Sequence, residues 1–297
     1  MEKHLRIATL SILLSLTAAS AVAATHPLNQ PVGVAVDAHG NLYVANFGAD
    51  QVLVYNFNYV QMTGKTVTKD QNGPVAVAFD VPGNVWVLGT GHPSRPDASL
   101  SEYSATGAVL FTTVGQFLLY DLTGFADSLA VDGNGDIWPA TNFGSKINGG
   151  ATVFAYPPVA ALDGIPLTYL AGYSLVAIHG QWIGYGGSSS TVSWGLVSEV
   201  LAGRGLGVGG SESASASAMT FDSASNLYVV VPDGGGGAAV QIINVPAGGT
   251  PVNFLSLNFV PASIAVDYSR QRAYLSDTGA NHIYVYSLAT GAPLYTI

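Results

Sequence analysis

The sequence predicts an all-β fold, a β-propeller of six blades with four antiparallel strands per blade. Three observations predict it: a segment that recurs about every 45 residues, apolar residues alternating with period 2 inside each recurrence, and turn residues at fixed places between the apolar runs.

The recurring segment is "PVGVAVDAHGNLYVANFGADQVLVYN", Pro31 to Asn56. It returns as "PVAVAFDVPGNVWVLGTG" from Pro74, "DSLAVDGNGDIWPATNFG" from Asp127, "SAMTFDSASNLYVVVPDG" from Ser217 and "PASIAVDYSRQRAYLSDTG" from Pro261. The anchoring aspartates are Asp37, Asp80, Asp132, Asp222 and Asp267, at intervals of 43, 52, 90 and 45. The interval of 90 is two periods, and "YSLVAIHGQWIGYG", Tyr173 to Gly186, fills it with His179 in the Asp place. Six units follow, roughly 26–70, 71–121, 122–171, 172–213, 214–257 and 258–297, with no separate second domain.

Within a unit the strands come in order. Val34 and Val36, then Leu42 and Val44, sit two apart with small or polar residues between them, as a pleated strand requires. The first unit therefore predicts an inner strand at Gly33 to Val36, a second at Leu42 to Ala45, a third at Val52 to Tyr55 and a weaker fourth at about Thr66 to Thr68. No stretch keeps apolar residues at helical spacing between credible caps, so helix content should be near zero. One blade cannot bury both its faces, whereas blades packed radially form a continuous core without long exposed edges. The short segment before Pro31 and the terminal "GAPLYTI" predict contiguous blades, with the ring closed by side-chain packing between the first and last units.

The N-terminus predicts export. Lys3 and Arg6 precede an apolar run from Ile7 to Leu16 and then Ala21-Val22-Ala23, the order of a secretory signal peptide over residues 1–23. That run is shorter than the roughly 20 apolar residues of a membrane span. The expected product is periplasmic or extracellular, with no membrane span. Removing Glu2, Lys3 and Arg6 leaves 7 basic residues against 17 acidic ones, a balance that excludes a nucleic-acid backbone as partner. The chain has no cysteine, which excludes disulfides, zinc thiolates and thiol nucleophiles.

The first unit, "GVAVDAHGNLYVANFGADQVLVYN", resembles an NHL repeat, and the last, "AYLSDTGANHIYVYSLATG", leans toward the related YVTN repeats. The resemblance covers five units and the fourth weakly. It implies a propeller, usually six-bladed, and leaves function open across a broad range. Lactone-hydrolysing propellers of the gluconolactonase kind hold a central divalent metal, and their first inner strand opens on Glu-Gly-Pro. Here the place reads Gln30-Pro31-Val32, and only Asn72 and Asp127 offer oxygen from the corresponding places. A hard cation such as calcium takes six to eight oxygens. No cofactor is therefore predicted, and a central divalent cation is the one that the resemblance leaves open.

Other motifs reduce to turns and loops. "DGNGD", Asp132 to Asp136, alternates oxygens like a calcium loop, but its twelfth position is Phe143 and the corner recurs as "DAHGN" and "DVPGN", which reads as a hairpin turn. "GLGVGG", Gly205 to Gly210, lacks the following helix of a dinucleotide site. No serine-nucleophile elbow exists. Trp86, Trp138 and Trp182, with Tyr43, Tyr228 and Tyr274, recur in the second strand and read as packing between blades.

The bends between second and third strands share one face with the starts of the inner strands, opposite the Asp corners. They lengthen in "GTGHPSRPDAS" and "TNFGSKINGGA", and variable loops on a rigid scaffold are where binding groups concentrate. The ligand-binding candidates are Asn46, Asn72, His92, Arg95, Asp97, Asp127, Asn142, Lys146, Asp233, Asp277 and His282. The expected function is that of a monomeric exported scaffold binding a protein, peptide or glycan through this looped face. The alternatives are a metal-dependent hydrolase or lyase working in the central channel and a cell-surface adhesion protein.

Overall fold

The computed structural model describes residues 28–67, 73–90, 99–114, 126–141, 152–157, 167–187, 191–204 and 209–297. The predicted signal peptide lies outside them.

The first sheet has three strands, β1 (Pro31–Val36), β2 (Leu42–Asn46) and β3 (Gln51–Tyr55). Five four-stranded blades follow, each contiguous in sequence and antiparallel throughout. They comprise β4 (Pro74–Phe79) to β7 (Val109–Val114), with β5 (Val85–Gly89) and β6 (Ser99–Tyr103) between, and then β8 (Ala126–Val131), β9 (Ile137–Thr141), β10 (Thr152–Ala155) and β11 (Thr168–Ala171). The next holds β12 (Leu175–His179), β13 (Trp182–Gly186), β14 (Val192–Leu196) and β15 (Gly210–Glu212). The last two hold β16 (Ala218–Phe221), β17 (Asn226–Pro232), β18 (Ala238–Asn244) and β19 (Val252–Leu257), then β20 (Ser263–Asp267), β21 (Arg272–Asp277), β22 (His282–Ser287) and β23 (Pro293–Thr296).

The expectation of six four-stranded blades is thus corrected to five. The predicted fourth strand near Thr66 reduces to one bridge, Val52 to Val67. The reason is local. Asn56 Oδ1 accepts the backbone N–H groups of Asn58 and Val60, Tyr59 takes a left-handed φ of 64°, and a 3₁₀ turn occupies Thr63–Lys65. The chain crosses the outer edge of β3 as turns, bonded to it through the Met62 N–H to the Val54 carbonyl and the Val52–Val67 pair. The fourth unit, weak in sequence, forms a complete blade. One short α-helix, α1 (Val197–Leu201), follows β14, where no helix was expected.

Among the described residues the core forms six apolar clusters, one between each pair of neighbouring sheets around the ring. Side chains of one strand alternate between the two flanking clusters: Ala35 and Tyr43 face the second sheet, while Val34, Val36 and Leu42 face the last blade. The recurring aromatics pair across strands with a small or short residue: Tyr43 with Ala35, Trp86 with Ala78, Trp138 with Ala130, Tyr228 with Thr220 and Tyr274 with Ala265. Trp182 departs from this set. It pairs with His179 and is half-buried, and the place opposite Ala177 is held by Gly184, whose far-side partner is Trp194. A Cβ on Gly184 would press on Leu227 of the next blade.

The ring closes without a shared strand. The Ser276 and Thr278 hydroxyls donate to the carbonyls of Val32 and Pro31 at 2.7 Å, Ser263 Oγ accepts Val34 N–H at 3.2 Å, and Gln30 N–H donates to Asn281 Oδ1 at 2.7 Å. At the rim Arg272 donates to the Phe57 carbonyl at 2.6 Å and lies 5.0 Å over the Tyr59 ring, which stacks on Tyr295.

Candidate functional site

The two faces of the ring carry different chemistry. On the corner face each aspartate is consumed by its own turn. Asp37 Oδ1 accepts His39 and Asn41 N–H while Oδ2 accepts the Asn41 amide; Asp222 repeats this with Ala224 and Asn226, and Asp80, followed by Pro82, accepts the backbone and amide N–H of Asn84. Asp132 Oδ1 accepts the N–H groups of Asn134 and Asp136, and its Oδ2 accepts Trp138 Nε1–H at 3.2 Å. Such carboxylates have turn hydrogen bonds where a calcium site would need free oxygens. In the last blade burial works to raise the Asp267 carboxyl, but hydrogen bonds from Ser269 and Arg270, with the Arg270 charge, outweigh it and hold it below the usual range.

The third corner differs. Asp136 stands where three other corners have Asn, is buried, and has its pKa pushed up to about 6, first by desolvation and then by the Asp132 charge and a hydrogen bond to it.

On the opposite face the bends link neighbouring sheets. Asp50 Oδ1 accepts Gly73 N–H at 2.9 Å at the start of the second blade, as Asn281 does for the first sheet. The longest connections between second and third strands, 90–98 and 142–151, join strands of adjacent blades whose described ends lie on this face. Of the predicted site residues, Asn72, His92, Arg95, Asp97, Asn142 and Lys146 lie outside the described residues, and Asp127 falls within β8. Asn46 is buried, and its Oδ1 accepts Asn29 N–H at 2.7 Å, bracing the segment before β1. Asp233 caps its own bend by accepting Gly235 and Gly237 N–H. Asp277 and His282 are brought together as cross-strand partners, with His282 stacked on Tyr284 at 5.8 Å. The structure gathers these two and leaves Asp233 apart on the preceding blade.

A central channel of about 310 Å³ runs between the inner strands of all six sheets. Its described lining is mainly Val, Ala, Ile and Phe, with Ser128, His179, Thr220 and Ser263 as the polar side chains. Ser128 Oγ bridges to Val176 of the next inner strand, donating to its carbonyl and accepting its N–H. Among the described residues no three His, Asp or Glu gather as a metal site.

A second cavity, of about 330 Å³, lies on the corner face between the second and third blades, lined by Asp80, Trp86, Glu102 and the Gly133–Gly135 turn. The sequence reading did not single out Glu102. The available signal was its place in "SLSEY": it stands opposite Trp86, where the corresponding partners are Val54, Ile242 and Val285 in other sheets.

The NHL repeat family matches residues 28–55, the first sheet. No curated protein matches the chain by sequence. Among solved structures, a streptogramin B lyase is similar at a TM-score of 0.56 and 13% identity, covering 91% of this chain and 83% of that one. A catalytically inactive virginiamycin B lyase from Staphylococcus aureus with quinupristin is similar at a TM-score of 0.53 and 13% identity, covering 91% and 85%. At such identity the likeness shows the fold. The matched first unit is thus an NHL repeat, and the radial sheets give the described chain a β-propeller fold.

Proposed function

We propose that this protein is an exported, monomeric binding scaffold that takes a protein, peptide or glycan on the face bearing the bends. One observation supports the reading: the longest connections between second and third strands join adjacent-blade strands whose described ends lie on that face, while the opposite corners are short turns closed by their own aspartates. In the sequence of these connections His92, Arg95 and Asp97 in one and Asn142 and Lys146 in the other supply the polar groups, with Asn72 and Asp127 as further candidates.

The test replaces residues 91–98 and 143–150 by the short bend of the first unit and screens both proteins against glycan and peptide arrays. Wild-type binding that disappears in the shortened protein supports the reading. Binding that survives places recognition elsewhere.

The enzyme alternative comes from the lyases on the same fold. Its support is that analogy together with Asn72 and Asp127, since the described channel lining offers hydroxyls, one imidazole and apolar groups. Incubation with quinupristin, with and without added divalent metal, separates the readings. Conversion of quinupristin that a chelator abolishes would replace the scaffold reading with the enzymatic one.

A further inference from the structure

The cavity between the second and third blades combines three features that packing does not explain. Trp86 is 3% exposed, yet its Nε1–H has no hydrogen-bond partner. Its counterpart Trp138 donates from the same place to its own corner aspartate, Asp132 Oδ2. That equivalence directs the Trp86 N–H toward Asp80, and Glu102, its cross-strand partner, lines the same cavity. Asp80 Oδ2 is already taken by the Asn84 amide at 2.9 Å, which also reaches Glu102 Oε1 at 2.9 Å. Glu102 Oε2 makes no hydrogen bond among the described residues. A buried donor without a partner costs roughly 1–3 kcal/mol, and a carboxylate at an otherwise apolar core position adds to the conflict.

An unspent donor beside an unspent acceptor matches a hydroxyl group, which accepts from one and donates to the other. A cation would satisfy Glu102 but oppose the indole N–H, and an anion would meet Asp80 and Glu102. The cavity, about 330 Å³, falls at the lower end of small-ligand sites, roughly 300–1,000 Å³. We infer that this cavity binds a neutral sugar, one hydroxyl accepting from Trp86 Nε1–H and donating to Glu102 Oε2, with Asn134 and the turn backbone as further polar lining. Burial and the nearby Asp80 charge raise the Glu102 pKa, which is consistent with a carboxylate waiting for a donor. The site lies on the face opposite the bends and does not depend on the scaffold reading.

The test follows the four indole N–H signals of ¹⁵N-labelled protein, with Trp86 assigned through Trp86→Phe. D-glucose, D-galactose, D-mannose and N-acetylglucosamine are titrated, with D-glucuronate as the anionic counterpart and L-lysine amide and calcium chloride as cationic ones. The expected result is a saturable shift of the Trp86 signal with at least one neutral sugar, an unmoved Trp138 signal, and about tenfold weaker binding in Glu102→Ala, the loss of one hydrogen bond to a charged group. The inference is overturned if no neutral sugar moves the Trp86 signal, if Glu102→Ala binds equally well, or if only the cations move it. Shortening the bends would leave this titration unchanged, so the two readings fail separately.

Discussion

Replacing Asp136 by Asn should stabilise the protein near neutral pH and do little in acid. At the equivalent place Asn41, Asn84 and Asn226 donate an amide N–H to their corner aspartate at 2.7, 2.9 and 2.8 Å. Asp136 can donate to Asp132 only while protonated, and burial beside that carboxylate raises its pKa to about 6. In the unfolded chain it titrates near 3.9. The folded state therefore holds the proton more tightly, and the corner's contribution falls as pH rises between these values. Linkage makes the loss small near pH 4 and on the order of 3 kcal/mol near pH 8. The Asn side chain is free of that loss at every pH. Urea denaturation of both proteins near pH 4 and pH 8 measures the difference. An Asn variant no more stable near pH 8, or a gain that is the same at both pH values, would refute the argument.

Two further substitutions probe the ring. A Cβ at Gly33 would overlap the carbonyl oxygen of Val75 on the neighbouring inner strand, so Gly33→Ala should destabilise by about 1–3 kcal/mol, visible as a lower thermal midpoint. Arg272→Ala should remove the bond to the Phe57 carbonyl and the contact over Tyr59, costing about 1–2 kcal/mol. Hydrogen exchange should show the loss concentrated where the last blade meets the first sheet, and uniform loss around the ring would contradict a local clasp.

The corners were legible because an Asp turn is closed by groups two to four residues away, and the strands because alternation reports burial on a pleated sheet. The missing fourth strand was not, since Val67 carries the same apolar signal whether it extends a ladder or makes one bridge. Trp182 misled for a related reason: a hairpin through Gly180 and Gln181 pairs it with His179 and shifts it two places toward the corner, and register is a tertiary property. Asn46 looked like a loop ligand because sequence does not record that Asn29 lies against it.

By itself the sequence determined the repeat, the all-β class, the turn chemistry and the acidic balance, because each depends on neighbours along the chain or on composition. Only the tertiary structure decided which sheets are complete, how the ring is clasped and which groups end up without partners. Trp86 and Glu102 lie 16 residues apart in strands that are ordinary when read alone. Their conflict exists only once β5 and β6 are paired and the third blade closes over them, because an unsatisfied hydrogen bond is defined by what fails to arrive from elsewhere in the fold.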